Sequence, residues 1–146
     1  MKHDVWMGGQ LMSDETTFDM KSLSFLVVDD EAFARGFAVK ILERMGAGEI
    51  TLASDGDEAL AYLEIAEPRP DVLLVDIRMP GMNGIEMMRV LKEWGYGGAI
   101  ILLSGLDENS VAVAEWIGKH RELNVLGSIN KPLTPEALAG LLAGLG

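Results

Sequence analysis

The sequence predicts a doubly wound α/β domain, with one parallel sheet of five strands covered by five helices, on three observations. From Leu23 onward, short apolar runs alternate with longer amphipathic segments. Three of the runs, Phe25-Leu26-Val27-Val28, Val72-Leu73-Leu74-Val75 and Ile100-Ile101-Leu102-Leu103, are apolar without interruption, as strands buried on both faces must be. The connections are so short that each helix has to cross back over the sheet, which gives five βα units in series.

The first unit pairs a strand at Leu23–Val28 with a helix in which Ala34, Phe37, Ala38, Ile41, Leu42 and Met45 recur at three- and four-residue steps. Arg35, Lys40, Glu43 and Arg44 take the opposite face, and Gly46 and Gly48 end the helix. The second unit is a strand at Ile50–Ala53 and a helix from about Asp57 to Ala66, with Ala59, Leu60 and Leu63 inward. The third strand, Val72–Val75, leads to a helix that starts near Asn83-Gly84, carries Ile85, Met88 and Leu91, and stops at Gly95. The fourth unit joins Ala99–Leu103 to a helix from about Ser110 to Arg121. The fifth joins Val125–Ile129 to a helix with a Thr134 cap, Pro135 at its first position, Glu136 in its first turn and a stripe of Leu138, Leu141, Leu142 and Leu145. Residues 1–21 show neither period and predict a flexible leader; residues 22–146 form the domain.

Bulk composition narrows the function. A chain of 146 residues fits one domain. With no cysteine, disulfides and thiolate metal sites are excluded, and the chain suits a reducing compartment. A formal net charge of -11 would repel nucleic-acid phosphates, so direct nucleic-acid binding is not expected. The first twenty residues hold no signal-peptide-like apolar run, and no membrane-spanning stretch occurs. A cytoplasmic location is expected.

The chemistry collects at the strand ends, where open parallel sheets bind ligands. The first strand ends in Asp29-Asp30-Glu31, the third in Asp76, the fourth in Ser104-Gly105 and the fifth in Asn130-Lys131-Pro132. The second, Ser54-Asp55-Gly56, reads as an ordinary helix start. Each residue has a structural reading: Asp29 or Asp30 as a helix cap, Asp76 as a turn cap before Pro80, Ser104 as a turn hydrogen bond, Lys131 as a surface lysine. Yet adjacent acids repel without a cation, and a carboxylate ending a buried strand is costly unpaired. Together the residues suit phosphoryl transfer to a carboxylate, a reaction of positioning and charge neutralisation. Asp76 would be the nucleophile. Asp30 and Asp76 could bind Mg²⁺ directly and Asp29 through water. Lys131 and Ser104 would hold phosphoryl oxygens.

The runs Phe25 to Glu31 and Val75 to Gly84, the Leu103-Ser104-Gly105 step and Lys131-Pro132 resemble response-regulator receiver domains over about residues 22 to 146. The resemblance implies a flavodoxin-like sheet of order 2-1-3-4-5 and a histidine kinase or phosphotransfer protein as phosphoryl donor. It implies Asp76 as acceptor and Mg²⁺ held by Asp30, Asp76 and the backbone carbonyl of Arg78. It also implies that Ser104 and Lys131 sense the phosphoryl group and so switch an output domain or downstream protein. The stretch from Leu123 to Leu133 resembles receivers that precede cyclic-di-GMP-degrading output domains. One departure is Ser128, which stands three positions before the lysine where the family usually has an aromatic residue. An aspartate-nucleophile phosphatase is disfavoured, because such enzymes carry a second acid two residues after the nucleophile and this chain has Arg78. Turnover of external substrates is therefore not expected. A receiver fold that only binds partners would not need the full set of site residues.

Overall fold

A computed structural model of the chain describes residues 5–7, 10–12, 17–79, 81–105 and 122–145. Its main sheet has five parallel strands: β4 (Phe25–Val28), β5 (Ile50–Ala53), β6 (Val72–Asp76), β7 (Ala99–Ser104) and β8 (Asn124–Asn130). They lie in the order β5-β4-β6-β7-β8, which is 2-1-3-4-5 when the sheet's own strands are counted. The three uninterrupted apolar runs are the three inner strands, buried at every position. β5 and β8, at the edges, are only partly buried.

Alternation within the inner strands feeds two separate cores. Phe25 and Val27 of β4, with Val72 and Leu74 of β6, face one side, where α1 (Ala32–Arg44) and α4 (Pro135–Leu142) supply Ile41, Leu42, Leu138 and Leu142. Leu26, Val28, Leu73 and Val75 face the other, packing on Leu60 and Leu63 of α2 (Gly56–Ile65) and Met87, Met88 and Leu91 of α3 (Gly84–Trp94). This is the doubly wound arrangement expected. The helix expected from Ser110 to Arg121 lies outside the described residues. No helix among the described residues is long and apolar enough to cross a membrane.

Local chemistry sets the helix starts. The Asp55 carboxylate accepts the Glu58 N–H at 2.7 Å while Glu58 accepts the Ser54 N–H at 2.8 Å, a reciprocal cap that confirms the ordinary role read for this strand end. Asn83 and Thr134 accept the N–H of Glu86 and Ala137 in the same way. At the end of α3, Gly95 takes φ +68°, a left-handed conformation that favours glycine.

Three expectations need correction. Residues 1–21 contain three short strands, β1 (Val5–Met7), β2 (Gln10–Met12) and β3 (Thr17–Asp19), paired antiparallel in that order. Segments of three residues are too short for alternation to register. The boundary after residue 21 also cuts too late. Met20 is fully buried in the core of Phe25, Leu42 and Met45, and its carbonyl accepts the Gly48 N–H at 3.0 Å. On α1, Phe37 is 37% exposed rather than inward, beside an 84% exposed Phe33.

Met20→Ala should therefore lower unfolding free energy by about 2–4 kcal/mol, the usual cost of emptying a buried methionine site. The exposed neighbour change Lys21→Ala should stay within roughly 0.5 kcal/mol. Urea denaturation of both variants checks this; equal, negligible effects would return Met20 to the leader.

Candidate functional site

The carboxyl ends of β4, β6, β7 and β8 converge on one cluster. Asp29 follows β4 and is 1% exposed. Its N–H donates to the Ala53 carbonyl at 3.1 Å, its carboxylate accepts the Glu31 N–H at 3.0 Å, and its carbonyl accepts from Arg35 Nη1 at 2.7 Å. The residue at the cap position of α1 is Glu31, which makes no side-chain cap bond. Neither Asp29 nor Asp30 is the helix cap that a purely structural reading would make of it. Asp30 is exposed.

Asp76 is the last residue of β6 and is buried. One carboxylate oxygen accepts the Arg78 N–H at 3.2 Å. The other lies 3.0 Å from Lys131 Nζ, which also lies 2.8 Å from Asp29 Oδ2. Lys131 is anchored by its own N–H, which donates to the Ser104 carbonyl at 2.8 Å. Ser104 ends β7, is buried, and its hydroxyl donates to Asn130 Oδ1 at 2.9 Å. The identity of α3's first residue, Gly84, is constrained by the same corner. A Cβ on Gly84 would stand 2.6 Å from the Asp76 carbonyl oxygen, so only glycine lets α3 start against the end of β6.

Thus four of the predicted side chains, Asp29, Asp30, Asp76 and Lys131, meet at one site, and Ser104 adjoins it through its carbonyl, which accepts the Lys131 N–H. Arg78 adjoins it through its backbone N–H. Sequence reasoning assigned no role to Asn130, although it stands next to Lys131; only the strand register, which pairs it with Ser104, reveals the contact. It also missed an apolar groove of about 390 Å³ between α1 and the loop after β8. Phe33, Phe37, Leu103, Pro132 and Leu133 line it, with Asp29 and Lys131 at its edge.

The electrostatics are those of an acidic cluster that could hold a cation. Asp29, Asp30 and Asp76 each offer an oxygen within 4.8 Å of the others. Three carboxylates and the Lys131 ammonium leave a formal charge of −2, which suits a divalent ion with hard oxygen ligands. Burial pushes the Asp76 carboxyl up to about 6; the Lys131 hydrogen bond pulls against this and the Asp29 charge adds to it. Burial works against the Lys131 ammonium, but its hydrogen bonds to Asp29 and Asp76 and their charges prevail and raise its pKa.

This gives a pH dependence with a definite sign. The folded chain holds the Asp76 proton more tightly than the unfolded chain, where the carboxyl titrates near 3.8. The contribution of this carboxyl to stability is therefore full below about pH 4, is lost as pH rises to about 6, and stays absent above that. In buffer with a metal chelator, Asp76→Asn should be more stable than the natural chain at neutral pH, by roughly 1–3 kcal/mol. The difference should shrink as pH falls through 6 toward 4. Thermal unfolding across that range tests this; a difference independent of pH would contradict it.

Comparison with known proteins agrees with the geometry. The family model described as "Response regulator receiver domain" matches residues 25–143. The cyclic di-GMP phosphodiesterase RocR of Pseudomonas aeruginosa is 35% identical over 127 residues, which is 84% of this chain and 31% of that protein. The positive alginate biosynthesis regulatory protein of the same organism is 30% identical over 122 residues, covering 82% of this chain and 46% of that one. The chain thus spans less than half of either relative's length. Among solved structures, a receiver domain protein from Clostridium thermocellum superposes with TM-score 0.72 at 25% identity, covering 84% of this chain and 92% of that one. The chemotaxis protein CheY4 of Vibrio cholerae gives 0.69 at 30% identity, covering 82% and 95%. The family match covers more than half of the chain, and the chain belongs to the response regulator receiver domain family of two-component signalling.

Proposed function

We propose that Asp76 is the phosphoryl acceptor, that Asp30, Asp76 and the Arg78 carbonyl hold Mg²⁺ with Asp29 beside them, and that Lys131 and Ser104 bind the transferred group. The observation that carries this reading is the buried Asp76 carboxylate, paired with Lys131 at 3.0 Å and grouped with two further acids. The chemistry supplied by Mg²⁺ at such a site is neutralisation of phosphoryl charge. An Asp76 oxygen attacks phosphorus, an O–P bond forms, and the donor's P–N bond breaks; the leaving imidazole keeps the electron pair and takes up a proton. Lys131 moves its hydrogen bond from the carboxylate to a phosphoryl oxygen. The product is one acyl phosphate per chain rather than turnover.

The donor in this reading is a histidine kinase or phosphotransfer protein, acting in the cytoplasm. It must bring its phosphohistidine to Asp76, so its surface has to touch what flanks the site. The apolar groove is continuous with the site through Asp29 and Lys131, and a solvent-facing aromatic such as Phe33 marks a surface for a partner. The 35% identity to RocR, with the stretch from Leu123 to Leu133, supports an output of the same kind, cyclic-di-GMP breakdown, controlled by this receiver.

Incubation with acetyl phosphate and Mg²⁺ should add one phosphoryl group by intact mass, and Asp76→Asn should abolish it. Phe33→Ala should leave labelling by acetyl phosphate unchanged while slowing transfer from a phosphorylated protein donor by about tenfold or more, as expected when an interface anchor is lost. Equal labelling of Asp76→Asn would sink the acceptor assignment, and unaltered protein-to-protein transfer by Phe33→Ala would sink the groove as the donor's surface.

A further inference from the structure

Ser104 sits on β7 between the two strands it has to serve. On one side, β6 carries Asp76, one register position from it; on the other, β8 carries Asn130, directly opposite. A serine hydroxyl has one proton to donate, and here it is given to Asn130 Oδ1 at 2.9 Å. The same hydroxyl cannot donate to a phosphoryl oxygen on Asp76 without leaving Asn130. Ser128, at the position where an aromatic residue usually stands, is small and exposed, so no ring is there to follow the hydroxyl's movement.

Resting on the reading of Asp76 as acceptor, we infer that Asn130 is a latch for Ser104: it holds the hydroxyl on β8 in the unphosphorylated chain and is released when the hydroxyl turns to the phosphoryl group. Asn130 is a positioning residue that acts through Ser104 and touches no reacting atom. Its release falls at a junction. Lys131, the next residue, bridges Asp29 and Asp76, and Thr134 four positions on caps α4. The event at Asp76 thus reaches the end of β8 and the start of α4 without an aromatic relay. Linkage makes the effect reciprocal: whatever the latch costs phosphoryl binding, phosphorylation costs the latch.

Beryllofluoride with Mg²⁺, a phosphoryl mimic that binds an ionised carboxylate, gives the test on the whole chain by titration calorimetry. Asn130 is exposed, so Asn130→Ala leaves the core intact. Affinity should tighten by about fivefold in Asn130→Ala, the worth of one ordinary hydrogen bond. In a Ser104→Ala background, where no hydroxyl remains to be held, the same change should alter affinity by less than about twofold. A neutral or weakening Asn130→Ala with Ser104 present, or equal tightening in both backgrounds, overturns the latch alone. Failure of the natural chain to bind beryllofluoride, or unchanged binding by Asp76→Asn, overturns the acceptor reading and the latch with it.

Discussion

The Lys131 ammonium, held between the carboxylates of Asp29 and Asp76, is the contact on which the site depends. Two carboxylates that are almost fully enclosed would be costly side by side. One lysine, reaching across from the far side of β7, offsets part of that cost for both. The reach is possible because strand order reverses between β4 and β6, which leaves their carboxyl ends open, and because β8 lies two strands from β6. Topology therefore supplies what sequence separation would forbid: Asp29 and Lys131 are 102 residues apart in sequence and hydrogen-bonded at 2.8 Å.

The compensation is incomplete. Two of the three acids share one ammonium and Asp30 faces solvent; in the proposed reading, the residual negative charge is what a divalent cation would offset before a phosphoryl group reaches Lys131. The Asp76 carboxyl is pushed up chiefly by burial, so the folded chain carries an unfavourable term that ligands at the site can relieve. Stability given up at an active centre in this way is a general feature of functional sites. The tight corner at Gly84 serves the same end, because it brings the start of α3 against the backbone of Asp76.

Most of the fold was legible because the inner strands are buried on both faces and so read as unbroken apolar runs. The cap at Thr134 and the helix starts near Asp55 and Asn83 were legible because the side chains that make them act within three residues. The cluster of Asp29, Asp76 and Lys131 was legible because each stands at or just past the end of a strand of the parallel sheet. What escaped notice depends on neighbours remote in sequence. The burial of Met20 is decided by Phe25, Leu42 and Met45. The exposure of Phe33 and Phe37 is decided by what does not cover the start of α1, while their spacing with Ala34, Ala38 and Ile41 looks like a core stripe. Nothing in the run Asp29-Asp30-Glu31 itself tells which of the adjacent acids is enclosed; in the fold Asp29 is buried and Asp30 exposed. The Ser104–Asn130 bond needs the register of β7 on β8, which includes a shift between Ile100 and Ile101 that periodicity does not disclose.

The central claim is that one carboxylate among three neighbouring acids receives the phosphoryl group. Its most direct test is chemical mapping of the phosphorylated chain: borohydride reduces an aspartyl phosphate to homoserine, and peptide mass spectrometry then locates it. The account predicts homoserine in place of Asp76 alone. Homoserine in place of Asp29 or Asp30, or none after demonstrated phosphorylation, would contradict it.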